Sequence, residues 1–308
     1  MEAGAVTAGG SGAATAARPR DARSLAADLL TLTKPKVQSL LLFTTVTTML
    51  MAGEPSLGLV ALTCLGGALS AGGAGAINHY LDRDIDAVMR RTRDRPVPAG
   101  RVPGRWALAY GITLGAASFA LLAATVNVLA ASLALAGLVG YVGVYTLWLK
   151  RRTPQNIVIG GAAGAVPPLV AWAATTGTVG ADALFLFAIV FFWTPPHFWG
   201  LSLLMKEEYE RAEVPMLPVV RGACETRAQI LLYTVVLAVW TALPLLVPAL
   251  HFGPVYLVAA LLLGGAFITL AERLRRRADR CSALRTYLFS LSYLALLFSA
   301  GAIDAKLL

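Results

Sequence analysis

Seven stretches of this chain run for 17 or more residues without an Asp, Glu, Lys or Arg, and their spacing limits the folds open to it. They are 17 residues between Lys36 and Glu54, 27 between Glu54 and Asp82, 44 between Arg105 and Lys150, and 29 between Arg152 and Asp182. A further 23 lie between Asp182 and Lys206, 44 between Arg227 and Glu272, and 18 between Arg285 and Asp304. A helix needs about 20 apolar residues to cross a bilayer core, so each of the two longest runs is a pair of spans joined by a tight turn. The turn positions are Thr125-Val126-Asn127 and His251-Phe252-Gly253-Pro254. The expected fold is an all-α integral membrane protein with nine transmembrane helices. Composition agrees: 57% hydrophobic and 14% charged excludes a water-soluble globule.

The net charge of +9 is a topology signal rather than a nucleic-acid footprint. Of 26 Lys and Arg, all but Lys306 fall on one side of the expected spans, in the N-terminal segment and in four long loops. The positive-inside rule then puts the N-terminus and those loops in the cytoplasm and the C-terminus outside. A bacterial cytoplasmic membrane is the expected location, with the mitochondrial inner membrane as the alternative. Residues 1–27 are Ala-, Gly- and Ser-rich with no apolar run and read as a disordered cytoplasmic tail without a cleaved signal, leaving residues 28–308 as a single nine-helix domain. Cys64, Cys224 and Cys281 are scattered and odd in number, which argues against a disulfide or metal framework.

The richest segment for chemistry is the end of the second span, Asn78-His79-Tyr80-Leu81-Asp82-Arg83-Asp84-Ile85-Asp86. Asn78, Asp82 and Asp86 recur every four residues and so stack three oxygen-bearing side chains along one helix face, while Asp84 points elsewhere. Such a row suits Mg²⁺, a hard cation that keeps waters and completes its shell with substrate phosphates. The competing explanation is a solvated helix end. Asn78, however, still lies within the apolar run, and polar groups at membrane depth tend to mark sites. His79 and His251 receive no role.

Directly afterwards come Arg90, Arg91, Arg93, Arg95 and Arg101. Carboxylates holding a cation beside guanidiniums that fork onto phosphate would clamp a diphosphate, although most of these arginines serve topology. Lys150 and Arg151, in the loop after Tyr145, can meet the same phosphates, and Asn156 opens the next helix, where its side chain caps or binds. The sixth span carries Phe191-Phe-Trp193-Thr-Pro195-Pro196-His197-Phe-Trp199. Its prolines are expected to break the helix at His197, and the flanking aromatics suit a flat apolar ligand. Interfacial-belt tryptophans and a packing histidine are the plainer alternatives. Lys206-Glu207-Glu208-Tyr209 adds acid and a phenol at the mouth.

The Asn-x-x-x-Asp-x-x-x-Asp row at the inner end of the second span resembles the first aspartate-rich motif of the UbiA superfamily of intramembrane prenyltransferases. Further stretches resemble the branch of that superfamily that farnesylates haem: Met89-Arg-Arg-Thr92, Arg95-Pro96, Asn156-Ile-Val-Ile-Gly160, Trp193-Thr-Pro-Pro-His-Phe-Trp199 and Pro215-Met-Leu-Pro-Val-Val220. Leu32-Thr-Lys-Pro-Lys-Val37 is similar to that branch's approach to the first span. The likeness covers roughly residues 28–300.

The resemblance implies a UbiA-like bundle around a central cavity open to the cytoplasmic side, with farnesyl diphosphate as donor, haem B as acceptor, Mg²⁺ as cofactor, and haem O and diphosphate as products. It implies Asn78, Asp82 and Asp86 as metal and catalytic residues, with Arg91, Arg95, Lys150 and Arg151 on the diphosphate. His197 would be catalytic on the acceptor side, and Tyr145, Asn156, Trp193, Trp199, Lys206 and Tyr209 would line the pocket. Hand-over of product to haem A synthase or to terminal-oxidase assembly would follow. The chain departs from the superfamily where a second aspartate-rich motif is expected: it has Lys206-Glu-Glu-Tyr209, which makes Glu208 a candidate for a further metal. A different UbiA-type aromatic or quinone-precursor prenyltransferase, a transporter and a non-catalytic haem carrier are the rival functions. The transporter lacks support because the polar groups cluster at one end rather than at the midplane.

Overall fold

A computed structural model describes residues 22–307, and among them the chain is helical without strands. In order, the helices are α1 (Ala22–Leu32), α2 (Pro35–Ala52), α3 (Leu57–Leu81), α4 (Arg83–Val88), α5 (Gly104–Thr125) and α6 (Val128–Val139). A π-helical segment, Gly140–Leu149, continues α6. Then follow α7 (Asn156–Gly164), α8 (Val166–Thr176), α9 (Ala181–Leu204), α10 (Lys206–Arg211), α11 (Leu217–Val220), α12 (Gly222–Thr241), α13 (Pro254–Arg277) and α14 (Arg280–Asp304).

Eight helical stretches are long and apolar enough to cross a membrane by length and composition. The remaining expected span is α2, whose 18 residues include Lys36, Gln38 and four threonines and fall short of that measure, so the count of nine is not reached among the described residues. The expected disordered tail also needs correction. Residues 1–21 of it lie outside the described residues, but helix begins at Ala22, and the amphipathic α1 buries Leu32. Both expected turns are in place. Asn127 caps α6, its Oδ1 accepting from Ala130 N at 2.8 Å, and Pro254 opens α13.

Close backbone-to-backbone packing fixes the helix that carries the acidic row. A Cβ on Gly73 of α3 would lie 2.7 Å from Gly111 O, and one on Gly111 of α5 would lie 2.7 Å from Gly73 O. Only glycine permits this approach, and it resembles small-residue packing in membranes generally. Buried hydroxyls add cross-links: Ser118 Oγ donates to Gly66 O at 2.7 Å and Ser70 Oγ to Ala134 O at 3.0 Å. At the end away from the basic loops, Asp304 at the foot of α14 accepts from Gly253 N and Val255 N, capping α13 from outside. At that same end Asp182 holds His251.

The prolines of α9 do not break it. The helix is continuous from Ala181 to Leu204 through Pro195 and Pro196, although their missing N–H groups leave the Phe191 and Phe192 carbonyls without those partners. A complete break would expose more backbone to lipid than the two freed carbonyls do. Trp193, whose Nε1 donates to Ser290 O at 2.7 Å, ties this stretch to α14.

Candidate active site

The acidic row forms because the joint between α3 and α4 does not interrupt helical bonding. Asp82 N donates to Asn78 O at 2.9 Å and Asp86 N to Asp82 O at 2.7 Å, so the three side chains stay in register. All three are buried, Asp82 to 1% exposure. The row is therefore shielded from solvent. A cavity of about 330 Å³ lies beside it, lined by Leu81, Arg83, Asp84, Thr146, Leu147 and Arg151.

Each member of the row is met by a base from a different part of the chain. Lys150 Nζ donates to Asp82 Oδ2. Arg95 Nη1 donates to both Asp86 oxygens, at 2.9 and 2.7 Å. Lys34 Nζ donates to Asn78 Oδ1 at 2.5 Å. The Asn78 amide completes the network, donating to Asp82 Oδ2 at 2.7 Å and to Thr146 Oγ1 at 3.2 Å. Burial lowers the Lys34 ammonium to about 7, helped by repulsion from Arg95 and Lys150.

Asp84 points away from the row, as its spacing requires. It takes a bidentate grip from Arg151, at 2.6 and 2.7 Å, which holds its carboxyl down at about 2 against the opposing effect of partial burial. The same pairing raises the Arg151 guanidinium, which stands 3.9 Å from Asp82 Oδ1. Arg91 is exposed.

The residues present fit a divalent cation of the Mg²⁺ kind. Asp82 Oδ1 is a buried oxygen without a hydrogen-bond partner, at the centre of a row of two carboxylates and an amide oxygen. Among the described residues no group of three or more His, Cys, Asp or Glu is assembled for a metal. The row therefore provides part of a shell, which is how Mg²⁺ is held when waters and phosphate supply the rest.

Apolar side chains pack beside the row. Ile85 and Met89, on either side of Asp86, share an apolar cluster with Ile157, Trp199, Tyr209 and Leu217, and Tyr145 lies against it. Gly160 makes room for Tyr145: a Cβ there would stand 2.4 Å from its ring. Trp199 is 1% exposed and packs edge-on to Tyr233, and burial raises the Tyr209 phenol while Arg91 and Arg95 oppose the shift. Asn156 does not cap its helix. Its Nδ2 reaches back to Thr153 O at 2.7 Å, and its Oδ1 is buried without a partner. Lys206 is half-buried at the start of α10, and Glu208 pairs with Arg211 at 3.3 Å while its Oε2 is buried unpartnered.

His197 belongs to a different grouping. Its ring stacks on Trp193 with centroids 4.2 Å apart, lies 5.0 Å from the Tyr287 ring, and its Nδ1 shares a 2.7 Å hydrogen bond with Ser290 Oγ. The structure therefore brings Asn78, Asp82, Asp86, Arg95 and Lys150 together, with Arg151 at their edge, and packs His197 and Trp193 of α9 against Ser290 of α14. The sequence reading gives no role to Lys34 or Thr146. Thr146 reaches Asn78 from the π-helical segment, where its Oγ1 donates to Tyr141 O at 2.9 Å across five residues; π-helical turns recur at functional sites. For Lys34 the available signal was its place before Pro35 at the head of a span.

The chain is similar to several known proteins. A protein from Roseiflexus sp. (strain RS-1) named protoheme IX farnesyltransferase is 54% identical over 283 residues, 91% of this chain and 53% of that protein. One of the same name from Rhodopseudomonas palustris (strain BisB5) is 49% identical over 295 residues, covering 94% and 93%. The chain spans about half the length of the relatives from Roseiflexus and Chloroflexus. Among solved structures, one of digeranylgeranylglyceryl phosphate synthase superposes with TM-score 0.74 at 17% identity over 92% of this chain and all of that one. A UbiA homologue from Archaeoglobus fulgidus bound to DMAPP and Mg²⁺ superposes with TM-score 0.67 at 18% identity, over 90% and 99%. The model of the UbiA prenyltransferase family matches residues 41–294, and the chain belongs to that family.

Proposed function

We propose that this chain transfers a farnesyl group from farnesyl diphosphate to a vinyl group of haem B, with addition of water, giving haem O and diphosphate. The observation that carries the reading is the buried row Asn78, Asp82 and Asp86, with a base on each member and an unpartnered oxygen on Asp82. The name shared by the Roseiflexus and Rhodopseudomonas relatives supports the acceptor. The Mg²⁺ bound in the Archaeoglobus homologue supports the metal.

Mg²⁺ held by Asn78, Asp82 and Asp86 would act as a Lewis acid, taking up negative charge as the allylic carbon–oxygen bond breaks. Lys150, Arg95 and Arg91 would hold phosphate oxygens, with Arg151 at the edge. Fixed cations in a closed, low-dielectric pocket stabilise a leaving diphosphate well because they need not reorganise. The bonding pair departs with diphosphate. The vinyl π electrons then form the new carbon–carbon bond, and water adds to the resulting cation and loses a proton. Tyr145, Asn156, Trp199, Lys206 and Tyr209 would shape the walls, with Glu208 offering oxygen to a further metal. His197 would serve the acceptor: its Nδ1 is committed to Ser290, which orients the ring and leaves Nε2 for haem. The membrane would be a bacterial cytoplasmic membrane with the basic loops inside, and the product would pass to haem A synthase or oxidase assembly.

The test is turnover in detergent with haem B, farnesyl diphosphate and Mg²⁺, read by mass spectrometry with an EDTA control. A haem gaining one farnesyl and one water, lost with EDTA, is the expected product. Prenylation of a phenolic or quinone precursor with no haem product would discard the acceptor.

A further inference from the structure

The seam between α9 and α14, which holds His197, carries an arginine at its end near the basic loops. The two helices run antiparallel, and their contacts follow one another in register. Trp193 Nε1 donates to Ser290 O, and His197 Nδ1 shares its hydrogen bond with Ser290 Oγ. The His197 ring lies 5.0 Å from that of Tyr287. About a turn further on, a Cβ on Gly200 would stand 3.5 Å from the Tyr287 Cβ. Beyond it, Arg280 Nη1 of α14 donates at 3.2 Å to the carbonyl of Leu204, the last residue of α9. Leu204 follows His197 by seven residues, which is about 10 Å along a helix.

The Arg280 guanidinium has donors and charge to spare. It is exposed, and the Leu204 carbonyl engages one of its five N–H groups. Among the described residues no carboxylate lies within ion-pairing distance of it. Its neighbour Asp279 caps α14, accepting from Ser282 N at 2.6 Å, and Glu272 is shared by Arg275 and Arg276. A second cation, Lys206, follows two residues after the carbonyl that Arg280 holds and is half-buried.

Haem B is a flat apolar ring with two propionate carboxylates on one edge. Carboxylates are costly in hydrocarbon, so a haem set against His197 must turn that edge toward the basic end of the seam. The rise from His197 to Leu204 matches the span from a porphyrin centre to its propionates. We infer that Arg280 is an acceptor-binding residue, forking onto a propionate of the haem with its free N–H groups, with Lys206 beside the second propionate. The Leu204 carbonyl steadies the guanidinium before haem arrives. The inference rests on haem B as the proposed acceptor and adds a selection to it: the site reads the acidic edge of the porphyrin.

The test is titration of purified protein in detergent with haem B and with haem B dimethyl ester, whose propionates are neutral, followed in the Soret band. Steady-state KM values for haem and farnesyl diphosphate are measured alongside. The parent should bind haem B at least tenfold more tightly than the ester. Arg280→Gln should lose most of that preference by weakening haem B while the ester stays within about twofold, and should raise the haem KM with the donor KM unchanged. Arg280→Lys should recover part of the preference, and Arg273→Gln, also on an exposed arginine of this hairpin, should keep all of it. Folded Arg280→Gln with the parent's preference overturns the role of Arg280, as does a raised donor KM with the haem KM unchanged. If Arg280→Gln does not fold, the parent decides: equal affinity for haem B and its ester overturns the inference. Parent protein that prefers haem B yet farnesylates no haem, with the preference lost in Arg280→Gln, upholds the Arg280 site and overturns the transfer reading. Parent protein that binds neither porphyrin overturns both.

Discussion

Lys150 donates a hydrogen bond to Asp82 across 68 residues of sequence, joining the end of α3 to the end of the π-helical segment. Both side chains are largely buried, with 13% and 2% exposure, so neither charge is left to solvent. Breaking such a pair from one side strands the other charge and costs roughly 3–5 kcal/mol when burial is complete. That asymmetry guides the choice of variant.

Asp82→Asn keeps volume and a hydrogen-bond acceptor for Lys150 while removing the carboxylate. We expect turnover to fall at least about a hundredfold, as for loss of a group that stabilises transition-state charge, with the protein still folded by thermal melting in detergent. Lys150→Met should melt earlier, because Asp82 keeps the Asn78 amide as a hydrogen-bond donor but only the more distant Arg151, at 3.9 Å, as a counter-charge. Wild-type turnover in Asp82→Asn would remove the metal row from the mechanism.

Divalent-cation removal should act on stability as well as on rate. The buried Asp82 Oδ1 has no hydrogen-bond partner, and a bound cation would satisfy it. Magnesium at a hundred times its dissociation constant would add about 2.7 kcal/mol to the folded state by mass action. A rise in melting temperature with Mg²⁺, absent in Asp82→Asn, is the expected result. An equal rise in both proteins would place the ion elsewhere.

Gly111→Ala probes how α3 is held. The added methyl would meet Gly73 O at 2.7 Å and Ile77 N at 2.9 Å, both backbone atoms that cannot swing aside. Overpacking of this kind costs about 1–3 kcal/mol. Because Ile77 precedes Asn78, activity should fall further than melting alone explains. A variant with unchanged melting and turnover would show that the α3–α5 contact is looser than described.

These contacts differ in how far sequence alone reveals them. The acidic row was legible because its spacing matches the helix and its bonds continue through Asp82. The turn at Asn127 was legible because a capping residue interrupts an otherwise uniform apolar run. The π-helical segment was not, since shifting bonds by one residue leaves no periodic mark in a stretch as short and predominantly apolar as Gly140–Leu149. Nor was Lys34, because a lysine before a proline at the head of a span has the same appearance as topology charge. The prolines of α9 misled in the opposite direction: local chemistry predicts a break, and packing on α14 through Trp193 keeps the helix intact.

His197 offers the last test, through its partner rather than itself. Ser290→Ala removes the hydroxyl that orients the imidazole through Nδ1 but leaves the Ser290 carbonyl that receives Trp193, so α9 and α14 stay joined. Loss of one such hydrogen bond costs about 1 kcal/mol in stability. Groups that orient a ligating histidine typically matter about 10- to 100-fold in function. We therefore expect the haem KM to rise about tenfold with the farnesyl diphosphate KM unchanged, measured in the same product assay. If Ser290→Ala raised the donor KM instead, His197 would belong to the diphosphate side of the pocket and the acceptor would need another anchor.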